Sequence, residues 1–87
     1  MNVIRDIEPK AKLHYLCIPK THFSLLTDMD EARAEIVKHV FQVIPTLEKE
    51  LGLEGGYRVI INQGESGGQT VHHQHIHLLG GEPLGDF

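Results

Sequence analysis

The residues best suited to chemistry are three alternating histidines, His73, His75 and His77. They lie in the run Val71-His72-His73-Gln74-His75-Ile76-His77-Leu78-Leu79-Gly80-Gly81. Its aliphatic content and closing glycine pair predict a strand. Successive side chains of a strand point to opposite faces, so these three imidazoles share one face, about 7 Å from one to the next. His72, Gln74, Ile76 and Leu78 take the other face. A row of rings adds little to a core, but it presents nitrogen atoms to a ligand.

Three uses of such a row compete. A histidine strand without chemistry is disfavoured, because unpaired imidazoles cost burial without adding packing. A zinc site is the second use, since His-x-His on a strand can aim two nitrogens at one ion. The outer pair, His73 and His77, is about 14 Å apart on a straight strand, too far to share an ion, so a metal needs another ligand such as His14 or Asp6. The third use is nucleophilic attack on phosphorus by His75. Neutral imidazole is a competent nucleophile near pH 7, provided an acceptor holds its other ring nitrogen. The phosphoramidate it forms is reactive enough for water to cleave. Donors for the phosphate oxygens are at hand in Asn62, Thr70, His77 and the backbone amides around Gly67-Gly68.

The remaining elements must position that row. Residues 1–11 end in Asp6-Ile7-Glu8-Pro9, which reads as a strand turning into a loop. Lys12 to Pro19 is a nearly continuous apolar run that suits an interior strand, with His14, Leu16 and Ile18 on one face and Leu13, Tyr15 and Cys17 on the other. Asp28 and Glu31 have the spacing of a capping box. A helical stripe of Ile36, Val37, Val40, Phe41, Ile44, Leu47 and Leu51 follows, with Pro45 expected to bend or split it and Gly52 to stop it. Tyr57 to Asn62 predicts another strand. Joined to the histidine strand by the seven residues Gln63 to Gln69, it predicts an antiparallel hairpin that brings Asn62 and Thr70 together. The sum is an α+β fold: an antiparallel sheet with one long helix packed on the face away from the histidines.

Composition narrows the function. Eighty-seven residues make one small domain, 1–87, for which a partner or dimer interface is plausible added stabilisation. A formal net charge of -4 argues against a broad nucleic-acid surface. Cys17 is the single cysteine, which excludes an intrachain disulfide and favours a reducing compartment. No segment reads as a signal peptide or a membrane span, so the expected location is cytoplasmic and no membrane partner is expected.

The residues also resemble a known family. His73-Gln74-His75-Ile76-His77-Leu78-Leu79 closely resembles the histidine triad (HIT) motif, His-φ-His-φ-His-φ-φ. Asn62, the run Gly67-Gly68-Gln69-Thr70-Val71 and Leu79-Gly80-Gly81 look like its nucleoside phosphoramidate hydrolase (Hint-like) branch. So do Asp6-Ile7-Glu8-Pro9-Lys10-Ala11, His14 and Ile18-Pro19-Lys20-Thr21-His22. The resemblance implies that His75 takes a nucleoside monophosphate onto its ring, oriented by the carbonyl of His73. It also implies that His77 binds the phosphate and that His14 completes a proton relay. Asp6 would grip the ribose hydroxyls, Ile7 would lie against the base, and Asn62 and Thr70 would serve the phosphate and leaving group beside Gly68 and Gln69. His22 matches the family without an implied chemical role. The implied substrate is a purine nucleotide or nucleoside phosphoramidate, no metal or other cofactor is required, and a homodimer is implied. Rivals are a dinucleoside polyphosphate hydrolase, a nucleotidyl transferase of the same superfamily, and a nucleotide-binding module without turnover. Two departures stand out. Gln74 occupies a position that is usually apolar, and the match begins at about the family's third strand, which implies a truncated domain or cover supplied by a neighbouring chain.

Overall fold

The computed structural model describes residues 1–20, 28–69 and 75–86. The order is β1 (Asn2–Arg5), β2 (Leu13–Ile18), α1 (Glu31–Leu51), β3 (Tyr57–Ile61) and β4 (Ile76–Gly80). The strands form one sheet in the order β1-β2-β4-β3, and every pairing is antiparallel. β2 and β3 both run opposite to β4, so they are parallel to each other, and α1 makes the crossover that parallel strands need. The expected α+β architecture and the β3–β4 hairpin are present.

Alternation divides the sheet into two faces. Tyr15 and Cys17 of β2 join Ile76 and Leu78 of β4 in one buried cluster with Val40 and Ile44 of α1 and with Leu53. His14 and His77 alternate with those residues and project from the other face. The helix therefore covers the side away from the histidines, as the apolar pattern requires. Phe41 belongs to the helical stripe but remains 42% exposed.

The helix boundaries follow local chemistry. The N-cap is Asp30 rather than Asp28: its carboxylate accepts the Arg33 amide at 2.8 Å and also meets the Arg33 guanidinium. A cap satisfies an orphan amide of the first turn, and from Asp30 that amide lies three residues on. Pro45 does not split the helix, which runs unbroken from Glu31 to Leu51. Pro45 is exposed, so the carbonyl one turn back that lacks its usual partner can bond to water. The stop at Gly52 is as expected, at φ 77°. Leu53 N–H donates to the Glu48 carbonyl at 2.8 Å and Gly52 N–H to that of Lys49 at 3.3 Å, which closes the helix end. Tyr15 Oη adds a bond to the Leu51 carbonyl, tying β2 to the same end.

The histidine strand is shorter than the alternating run. β4 begins at Ile76, and His75 precedes it. Pairing is described to Ile61↔Ile76, a register that sets position 62 opposite position 75; the expected meeting of Asn62 with Thr70 falls on a residue outside the described ones. His22, Thr70, Val71, His72, His73 and Gln74 lie outside the described residues.

Candidate active site

Two neighbouring strands bring His14 and His77 together. In the β2–β4 ladder Leu16 pairs with His77 and His14 with Leu79, so the two histidines are diagonal neighbours on one face, within reach of long side chains. His14 Nε2 lies 2.9 Å from His77 Nδ1. The His75 ring stands edge-on to that of His77, with centroids 4.9 Å apart. His14 and His75 thus both meet the His77 ring.

The segment between β1 and β2 fixes which nitrogen carries the proton. Asp6 Oδ1 accepts the Glu8 amide at 2.9 Å, an Asx turn that starts the loop. Asp6 N–H donates to the His14 carbonyl at 2.9 Å, and the loop then folds the Lys10 amide onto His14 Nδ1 at 3.0 Å. A nitrogen that accepts a hydrogen bond has no proton, so neutral His14 must carry its proton on Nε2. That N–H points at His77 Nδ1, with Asp6 Oδ2 3.4 Å from the same nitrogen. His77 in turn must carry its proton on Nε2. Asn62 Nδ2 lies 3.4 Å from that atom; two donors cannot pair, so the amide meets the His77 N–H only when turned to present its oxygen. The Lys10 amide therefore sets the tautomers along a chain of contacts from His14 through His77 to Asn62.

Electrostatics support this order. Burial holds the pKa of His77 below the ordinary histidine value, and the neighbouring His75 and His14 push it further down, against a smaller opposing pull from Asp6. His14 is itself buried, at 5% exposed. The Asp6 carboxyl is held below its usual range, chiefly by the Glu8 amide; burial opposes this, and His14, His77 and Lys10 each add a smaller downward pull. The site thus sets a His77 ring that resists protonation beside an ionised Asp6 carboxylate. Ile7, next to Asp6, is 95% exposed and offers a bare apolar surface beside that carboxylate.

The glycine loop differs from expectation. The Gly67 amide donates to the Gly64 carbonyl at 3.1 Å and the Gly68 amide to that of Glu65 at 3.0 Å, so neither is open to a phosphate. A side chain at Gly67 would place its Cβ 2.3 Å from the Gln63 carbonyl oxygen, which is why the turn needs glycine there.

Asp6, His14 and His77 also meet the distance test for a shared cation, their ligand atoms lying within 4.8 Å of one another. The hydrogen bonds fail it. A metal needs the Nε2 lone pair of His14, yet the Lys10 amide already occupies Nδ1, and a neutral ring cannot leave both nitrogens bare. Metal-bound histidines donate their second N–H to an acceptor, whereas here that nitrogen faces a donor. The three residues suit a proton relay better than a metal.

Sequence reasoning found Asp6, His14, Asn62, His75 and His77, which the structure gathers in one place. It missed the Lys10 amide, a main-chain group whose only trace in the sequence is the turn signal at Pro9. His73 and Thr70 lie outside the described residues.

Relatives share this frame. The HIT domain family matches residues 1–84. An uncharacterized HIT-like protein of Chlamydia muridarum is 46% identical over 85 residues, covering 98% of this chain and 68% of its own. A HIT family hydrolase from Clostridium thermocellum superposes with a TM-score of 0.89 at 41% identity, covering 98% of this chain and 75% of the other. A histidine triad nucleotide-binding protein from Candida albicans superposes at 0.74 with 30% identity, covering 98% and 69%. With the family's motif, its sheet and its histidine cluster all present, the chain belongs to the HIT domain family.

Proposed function

We propose that the protein is a hydrolase of purine nucleoside 5′-phosphoramidates, of the Hint-like branch, with no metal or other cofactor required. A ring nitrogen of His75 attacks phosphorus, the bond from phosphorus to the leaving amine breaks, and the amine departs with a proton supplied through the His14–His77 relay. Water then cleaves the bond between His75 and phosphorus, releasing the nucleoside monophosphate and returning the proton. The carbonyl of His73 orients His75, Asp6 holds the ribose hydroxyls and Ile7 meets the base. Asn62 and Thr70 serve the phosphate end, and Gly68 and Gln69, whose polar atoms are engaged or enclosed within their own loop, do not contact the phosphate.

The observation that carries this reading is the His14–His77 contact of 2.9 Å, with its tautomer set by Lys10 and the His75 ring against it. The names of the Clostridium thermocellum and Candida albicans proteins, a hydrolase and a nucleotide-binding protein, support the class. The assembly proposed is a homodimer of single HIT-like domains, 1–87, in the cytoplasm. Among the described residues β3 is an edge strand, and its Val59 is 40% exposed; such an edge is a template for pairing.

The test is incubation of the wild type and His75→Ala with adenosine 5′-phosphoramidate, followed by intact-mass analysis. The wild type should turn over and show a nucleotide adduct on His75, and the variant should show neither. Turnover by His75→Ala refutes the mechanism. Faster hydrolysis of diadenosine polyphosphates points to that rival, and calorimetric binding of mononucleotide without hydrolysis points to a binding module.

A further inference from the structure

The loop after β3 is closed by a side chain. Gln69 Oε1 accepts the Gly64 amide at 2.8 Å, and the Gln69 amide donates back to the Gly64 carbonyl at 3.0 Å. Because the partner is an N–H, the acceptor end of the Gln69 amide is fixed as its oxygen. The other end, Nε2, is buried and has no partner among the described residues. An atom so enclosed is badly placed to meet an incoming phosphate. The clamped loop runs close to the site: a side chain added at Gly68 would bring its Cβ to 3.8 Å from Asn62 Cγ and 3.9 Å from its Oδ1. Asn62 in turn is the group that faces His77 Nε2.

We propose that Gln69 is a positioning residue: by holding Gly64 through its side-chain oxygen, it sets the loop that backs Asn62 and so keeps the Asn62 amide against His77. Gln69 acts through Asn62 and does not touch the nucleotide. The kinetic half of this inference rests on the hydrolase reading above; the spectroscopic half does not.

Two variants of similar length separate the roles of the two amide ends. Gln69→Met removes both polar atoms, and Gln69→Glu keeps an oxygen for Gly64 while removing the Nε2 donor. With adenosine 5′-phosphoramidate, kcat of Gln69→Met should fall about tenfold at little-changed KM, as for the loss of one orienting hydrogen bond, and Gln69→Glu should recover most of kcat. In the absence of substrate, the His77 ring ¹⁵N shifts should move in Gln69→Met and return in Gln69→Glu, together with protection of the Gly64 amide from exchange. Equal losses of kcat in both variants would assign the effect to Nε2 and overturn the proposal. So would a Gln69→Met protein with wild-type kinetics and His77 shifts. If Gln69→Met does not fold, Gln69→Glu alone decides: retained Gly64 protection and His77 shifts support the clamp, and their loss overturns it. If the wild type lacks turnover, the hydrolase reading fails, while the His77 and Gly64 signals still judge the clamp.

Discussion

The two faces of one sheet enclose Cys17 and His14 in opposite ways. On the helix side, Cys17 lies among Tyr15, Ile76 and Leu78, fully enclosed, and burial alone pushes its thiol up to about 11. On the other side, His14 is nearly as enclosed, yet each of its ring nitrogens has a partner. His77, three residues before Gly80, is likewise bonded at both ring nitrogens. Burial without partners silences a group, whereas burial with partners assigns its protons. Because the same strands supply both faces, a change of one residue in register separates packing from chemistry.

That contrast can be broken by substitution. On the helix side, Leu78→Ala should cost about 3 kcal/mol of stability by opening a cavity, measured by urea unfolding, while turnover per folded molecule stays near that of the wild type. A large loss of specific activity without loss of stability would merge the two faces. On the histidine side, His14→Phe should lower kcat roughly 10²-fold by removing a relay member, with a stability loss of only about 1 kcal/mol from the stranded Lys10 amide. The reverse ordering would make His14 a packing residue.

The smallest effect concerns acid. His77 takes up its proton at lower pH when folded than when unfolded, where the value is about 6.5. Between those two points the unfolded chain binds more protons, so this contribution to stability is complete above about 6.5 and declines as pH falls through the folded midpoint. Asp6 acts in the same direction further into the acid range. An NMR titration of the His77 ring should give a midpoint below the ordinary histidine value; a midpoint above it would mean that the pull of Asp6 outweighs burial.

The architecture was legible where side chains alternate or repeat. The split of Tyr15 and Cys17 from His14, the helical stripe through Val40 and Ile44, and the stop at Gly52 all follow from letters. The cap moved from Asp28 to Asp30 because two nearby aspartates carry the same signal, and only the position of the first helical turn chooses between them. Pro45 is expected to bend or split the helix, yet it lies on an exposed face of an unbroken one, where the carbonyl one turn back can turn to water. Within the site, Asp6, His14, Asn62, His75 and His77 were visible as residue types. The partners that set their roles were not, because they are backbone groups: the Lys10 amide on His14, and the Gly67 and Gly68 amides, which are spent inside their own loop. A sequence names side chains, and every residue carries the same main-chain donor whatever its letter.

The enclosure of Cys17 has a further consequence. The only sulfhydryl in the chain is set where sheet and helix meet, so oxidants and alkylating agents gain access to it only when those layers part. Its chemistry is therefore tied to breathing of the core and not to the state of the histidine cluster on the reverse side.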